Sequence, residues 1–295
     1  MNIAKWLVRR EFWENRAIWQ IPAVFGGLLI LGSLFGGYQV LGVPDLATVR
    51  TVLQAGALDG MILIAAAFFV VMSIYSTWYL LDCLYGDRRD RSILFWKSMP
   101  ISDTTTVLCK LGVALIVIPL VYFAFADLTT LMMAFVISVR ASSYIGSTLW
   151  RGDLWIQIQA LWLYMILAAA VWYLPVAGWL LLVSAWAKRA VILWSILPPL
   201  AVVVAERVFV GTHVIWHVID VRLWGLFAHA LQYTPGADNW VTTTIGHDAI
   251  TTPVNLWRFL NPAGFFASPE TWIGAAVGAA LIVGAIQLRM RRAEI

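Results

Sequence analysis

Residues 84–110 read Leu84-Tyr-Gly-Asp87-Arg88-Arg89-Asp90-Arg91-Ser-Ile-Leu-Phe95-Trp96-Lys97-Ser-Met99-Pro100-Ile-Ser102-Asp103-Thr-Thr-Thr-Val-Leu-Cys109-Lys110, a long run in which charges, aromatic rings and helix-capping residues stand together. Residues 61–81 before it and 111–139 after it are apolar over lengths that cross about 30 Å of hydrocarbon at about 1.5 Å per helical residue. A polar run between two such stretches reads as a loop outside the membrane joining two spanning helices. The whole chain agrees with that reading, because 61% of its residues are hydrophobic and only 12% are charged, where soluble domains carry about a quarter charged. The fold class is therefore an all-α integral membrane protein. Its 17 Trp and 9 Tyr suit the headgroup boundary, where amphipathic rings are enriched.

Working outward, six spans are expected in a single transmembrane domain over 1–295: residues 21–43, 61–81, 111–139, 158–187, 191–208 and 272–288. Residues 1–20 interleave Trp6, Phe12, Trp13 and Trp19 with Lys5, Arg9, Arg10, Glu11, Glu14 and Arg16. They read as an interfacial helix or as a basic flank that sets topology. Residues 45–59 read as a short loop, and 209–271 as a larger extracytoplasmic region opening with a surface helix over 213–232. The third span is long enough to require tilt. Pro175 is expected to kink the fourth span, and Pro198 with Pro199 to break the middle of the fifth. Gly32 with Gly36, and Gly274 with Gly278, have the small-xxx-small spacing of close helix crossings. Ser268-Pro269-Glu270 is a helix start, with a capping oxygen, a preset φ and an acid at the positive end of the dipole.

The basic residues fix the expected orientation. Of the 20 Lys and Arg, only Arg50, Arg140, Arg151, Arg207, Arg222 and Arg258 fall in segments opposite the N-terminus. Both termini and residues 84–110 are thus expected in the cytoplasm.

No catalytic, cofactor-binding or metal-binding set is found in the sequence. His213 and His217 have helical i,i+4 spacing, but His-Val-Ile-Trp-His lacks the acid of the zinc-protease motif, and no Gly-rich phosphate loop with its Lys occurs. Cys83 and Cys109 offer neither a disulfide framework nor zinc spacing. The basic residues form no stripe, so nucleic acid is excluded as a partner. Asp127 stands inside the third span beside Thr129 and Thr130. An acid there is costly unless paired, protonated or wetted, so it is a translocation-path candidate or a packing hydrogen bond. Glu206, near the outer end of the fifth span, reads as structural.

Within residues 84–110, Asp87 and Arg91 lie one turn apart and Arg88 and Arg89 extend a basic cluster. The apolar run 93–96 is too short to span, Pro100 breaks the chain, and Ser102 caps a new helix entering the third span. Phe95, Trp96 and Met99 are the large side chains that such a knob plants in a partner's groove or rests among headgroups.

This segment resembles one found in the permease subunits of ATP-binding-cassette exporters of the second type. They carry an acid-Arg pair and a Phe-Trp-Lys-Ser-Leu-Pro-x-Ser-like run between their second and third spans. Here Asp87-Arg88 stands at the pair, with Asp for the usual Glu. Phe95-Trp96-Lys97-Ser98-Met99-Pro100-Ile101-Ser102-Asp103 forms the run, with Met for the usual Leu. The interfacial helix, the six spans and the turn Ser184-Ala185-Trp186-Ala187-Lys188-Arg189 extend the likeness.

The resemblance implies a non-catalytic subunit of the bacterial cytoplasmic (inner) membrane. It would pair with a second permease copy or a related permease and with two cytosolic ATPase subunits, which hold the ATP and Mg. It implies that residues 84–110 form a cytoplasmic coupling helix and loop, with Asp87, Arg88, Arg91, Phe95, Trp96, Lys97, Met99, Pro100 and Ser102 at the ATPase contact. An ion-coupled secondary carrier using Asp127, and a membrane scaffold subunit without transport, are the alternatives.

Overall fold

The computed structural model describes residues 3–35, 46–90, 102–140, 150, 152–231 and 256–291. Its helices are α1 (Ile3–Glu14), α2 (Ala17–Phe35), α3 (Leu46–Arg89), α4 (Asp103–Gly112), α5 (Ile118–Arg140), α6 (Gly152–Trp172) and α7 (Leu174–Trp186). They continue with α8 (Val191–Ala205), α9 (Val214–Trp224), α10 (Leu226–Ala230), α11 (Pro262–Ala267) and α12 (Pro269–Arg291). Among the described residues, six helical stretches are long and apolar enough to cross a membrane: Ala17–Phe35, Gly60–Arg89, Asp103–Arg140, Trp155–Trp172, Val191–Val210 and Pro269–Arg291. Each overlaps one of the spans read from sequence.

Two departures from expectation, and one expected break between them, have physical causes. Helix α3 begins at Leu46, so the stretch expected as a loop is helical; between Ala47 and Asp59 it contains one Gly and no Pro, and its Ala, Leu and Gln favour helix. The fourth span divides at Tyr173 into α6 and α7, because Pro175 has no N–H and occupies the first turn of the new helix. By contrast, Pro198 and Pro199 do not break α8. Pro199 frees the carbonyl of Ser195, and the Trp179 indole N–H donates to that oxygen at 2.9 Å. A neighbouring helix thus satisfies the orphaned acceptor, as a low-dielectric setting requires.

Pro119 acts similarly on the third span. Val113–Val117 between α4 and α5 is a π turn in which Ile118 N–H reaches back to Val113 O. Ala114 O, which Pro119 cannot serve, accepts from Ser76 Oγ of α3.

The tightest crossing is between α7 and α12. A Cβ placed on Gly278 would come within 2.6 Å of the Leu174 carbonyl carbon, and one on Gly178 within 2.7 Å of Gly278 O. Gly278 is thus a packing residue, as its spacing predicted. Gly274, its sequence partner, lies instead against the Arg222 guanidinium, and Gly32 has open space around it. The glycine that does serve α2 is Gly26, whose missing side chain admits Thr129 of α5, beside the edge-on rings of Phe25 and Phe68 at 5.1 Å.

Candidate functional site

The N-terminal helix supplies the first part of the site. On α1, Leu7, Arg10 and Glu11 share the buried face, while Trp6, Arg9 and Trp13 are exposed. The face turned to the bundle is therefore partly ionic. Glu11 Oε1 meets Arg10 Nη2 at 2.9 Å and Lys110 Nζ at 3.2 Å. Its Oε2 accepts from the Tyr79 hydroxyl at 2.7 Å and from Asn15 Nδ2 at 3.2 Å. Arg10 also reaches Glu14 at 3.2 Å.

Lys110 carries the chain of charges onward to Asp87 at 3.4 Å. Arg289, on the last turns of α12, then bridges Asp87 at 3.1 Å and Asp103 at 3.0 Å. Read in order, Glu14, Arg10, Glu11, Lys110, Asp87, Arg289 and Asp103 alternate in sign along a continuous path. The path ties α1, the end of α3, the start of α4 and the end of α12 together, which brings the N-terminal helix and the end of α12 to one end of the bundle. Burial alone would push the Glu11 carboxyl up. The Lys110 ammonium, the Tyr79 hydroxyl and Arg10 outweigh it and hold that carboxyl below the usual carboxylate range.

A second fastening lies beside it. Ser184 of α7 is wholly buried; its hydroxyl donates to Leu81 O at 2.7 Å and accepts from the N–H groups of Leu84 and Tyr85 at 3.1 and 3.0 Å. Arg88 donates to Ala187 O at 2.9 Å and to Ser184 O, capping the C-terminus of α7 with a cation, the favourable sign there. Asp87 and Arg88 therefore both engage partners within this chain.

Ser102 caps α4 by accepting from Thr105 N–H at 3.1 Å, as its position predicted. Arg91, Phe95, Trp96, Lys97, Met99 and Pro100 lie outside the described residues. Glu11, Lys110, Arg289 and Ser184 are the residues that sequence reasoning missed as members of a site; Glu11 had been read only as part of the interfacial pattern, and Lys110 and Arg289 only as topology markers.

Asp127 is half-buried in α5 and accepts a hydrogen bond from the Gln159 amide of α6. Thr129 and Thr130 bond back to Phe125 O and Ala126 O, so neither joins Asp127 in a polar patch. An asparagine could accept from Gln159 equally well. Asp127→Asn is accordingly expected to leave the detergent-solubilised melting curve nearly unchanged. Asp127→Leu should cost about 0.6 kcal/mol, the usual worth of such an interhelical bond. A large loss of stability in Asp127→Asn would show that the carboxylate charge itself holds the helices.

At the opposite end of the bundle, Arg222 of α9 packs over the Trp172 ring at 4.3 Å and donates to Trp172 O at 3.2 Å and Glu270 O at 2.8 Å. His229 bridges Gly225 O at 2.9 Å and Glu270 at 3.0 Å. Glu206 accepts from Thr212 Oγ1 and from the N–H groups of Val214 and Ile215, capping α9, a structural role. His213 and His217 are exposed, and among the described residues no three His, Cys, Asp or Glu gather as metal donors.

Fold and site together define a multi-pass helical membrane protein whose helix ends are tied by a buried chain of ion pairs. No family model, no curated protein and no solved structure matches the chain.

Proposed function

We propose that the chain is the non-catalytic permease subunit of an ATP-driven exporter of the ATP-binding-cassette type. It works in the bacterial cytoplasmic membrane with both termini inside, beside a second permease copy or relative and two cytosolic ATPase subunits. The observation that carries this reading is the Phe95–Asp103 run joined to the placement of its two flanks. Asp87 before the run and Asp103 within it both pair with Arg289.

A loop seated on a moving ATPase does work only if its base is stiff. Here a displacement of the loop would pull on α3 through Asp87 and on α4 through Asp103. Because both converge on Arg289, and Lys110 links them to Glu11, α1, α3, α4 and α12 would tilt as one body. That is the kind of rigid-body switch ATP-driven closure requires. Arg88, holding the end of α7, would extend the same motion to the fourth span.

The test is co-purification. Under this reading the chain captures an ATPase, and Phe95→Ala with Trp96→Ala weakens that capture by about 2 kcal/mol, roughly 30-fold, as loss of central aromatic anchors does. It should also uncouple ATP hydrolysis from transport. Full transport by the chain reconstituted without any ATPase would overturn the proposal.

A further inference from the structure

The corner between α1 and α2 carries a surface that the bundle does not use. Trp6, Arg9 and Trp13 lie at spacings of three and four residues on the exposed face of α1, and Arg16, also exposed, stands in the turn that joins α1 to α2. Arg9 lies 4.8 Å from the centre of the Trp13 ring, which orders its guanidinium along the aromatic face. Neither Arg9 nor Arg16 forms an ion pair among the described residues. Glu11, the acid nearest Arg9 in sequence, is engaged by Arg10 at 2.9 Å and Lys110 at 3.2 Å, and Glu14, nearest Arg16, by Arg10 at 3.2 Å, so the corner presents two free cations.

Its depth is set by the adjoining span. Helix α2, an apolar helix long enough to cross a membrane, begins at Ala17 directly after this corner, and charged side chains stand at the ends of such spans rather than within the hydrocarbon. Arg16 and the exposed Trp19 therefore stand at the boundary between hydrocarbon and headgroups. Trp6 and Trp13 supply rings of the kind that settle at that level. On the other side of α1, Leu7, Arg10 and Glu11 are locked into the bundle, so the orientation of this face is fixed.

We propose that this corner binds the headgroup of an anionic phospholipid, with Arg9 and Arg16 on the phosphate and Trp13 and Trp19 against the glycerol and upper acyl chain. Two fixed cations at headgroup depth complement a negative lipid phosphate. A zwitterionic headgroup carries its own cation and gains less. The inference concerns the lipid around the protein and is independent of what the protein transports.

The full chain is reconstituted with spin-labelled phosphatidylglycerol or spin-labelled phosphatidylcholine in phosphatidylcholine vesicles, and the motionally restricted fraction of each label is measured. The wild type should prefer the phosphatidylglycerol label, and added salt should reduce that preference. Arg9→Gln with Arg16→Gln should cut it by up to about 5-fold per arginine, leaving association of the phosphatidylcholine label unchanged. Lys188→Gln with Arg189→Gln, at another exposed basic turn, should retain it. Should the double arginine variant fail to reconstitute, Arg16→Gln alone is read for a partial loss. No preference in the wild type, an undiminished preference in the Arg9 and Arg16 variants, or its loss in the Lys188 and Arg189 variant would each overturn the proposal.

Discussion

Glu11→Gln is expected to destabilise the protein by about 3–5 kcal/mol, although the side chain keeps its size. The reason is the direction of the surrounding groups. Arg10 and Lys110 approach one carboxylate oxygen, and the Tyr79 hydroxyl and Asn15 amide approach the other. All four are donors. The neutral oxygen must stay toward Arg10 and Lys110, which can only donate, so the amide nitrogen falls on the side of Tyr79 and Asn15, which must turn about to accept, and the charge that balanced Lys110 and Arg10 is gone. Lys110→Met should be less damaging, since Glu11 keeps Arg10 and Asp87 keeps Arg289. The double variant Glu11→Met with Lys110→Met removes both poles of the pair. It should recover 1–3 kcal/mol relative to the sum of Glu11→Met and Lys110→Met, a coupling of about the size that adjoining charges show. Thermal unfolding of the detergent-solubilised protein checks all four variants; strict additivity would mean that the pair contributes nothing as a pair.

The same cluster fixes the response to acid. The Glu11 carboxyl is held below its usual range in the folded protein, so the unfolded chain takes up its proton first as pH falls. The associated stability is fully present above the ordinary carboxylate range and is lost as pH drops through the depressed folded value. Glu14, exposed on α1, is shifted upward by partial desolvation despite Arg10, which opposes the trend weakly. Acidification should therefore loosen this end of the bundle, and Glu11→Gln should flatten the dependence of melting temperature on acid pH.

The spans were legible because an apolar run of sufficient length has few other homes, and two helix starts were legible because the Ser102 cap and the Pro269-Glu270 first turn act locally. The ionic path was not. Arg10 and Glu11 on a helix read as its wetted face, and nothing local marks them as buried. Arg289 and Asp87 are 202 positions apart, so their pairing leaves no trace in either neighbourhood. The fate of a proline is likewise set from outside the helix. Pro199 leaves Ser195 O to find a donor outside α8, and that donor is a Trp on α7. Pro175 has its expected effect because a new helix starts there. Small-residue spacing met a close crossing at Gly278, whereas Gly32 has open space around it and Gly36 lies outside the described residues, since spacing marks where a close approach is possible and not where a second helix lies.

That difference makes the glycines a graded test of how the bundle is assembled. At Gly278, an added Cβ would meet the Leu174 carbonyl carbon and oxygen and Pro175 N at 2.6, 2.7 and 2.7 Å. These are backbone atoms of a helix start and cannot rotate aside, so α7 and α12 must separate. Gly278→Ala is expected to cost about 1–3 kcal/mol, the range for overpacking a fitted core, and Gly278→Leu to prevent accumulation of folded protein. At Gly274 the obstacle is the guanidinium of Arg222. It can swing away, at the cost of its bonds to Trp172 O and Glu270 O, so Gly274→Ala should fall between. Gly32→Ala meets nothing within 4 Å and should be neutral or stabilising by up to about 1 kcal/mol through helix propensity. Melting temperatures ranked Gly278→Ala lowest, then Gly274→Ala, then Gly32→Ala at or above the wild type would fit this arrangement. A Gly278→Ala protein as stable as Gly32→Ala would mean that α7 and α12 do not cross at Gly178 and Gly278. Helix α12 carries Arg289 at one end and α7 carries Ser184 beside Arg88, so this crossing also sets the spacing of the two fastenings. A variant that folds with the helices parted should therefore lose the Asp87 and Arg88 contacts together.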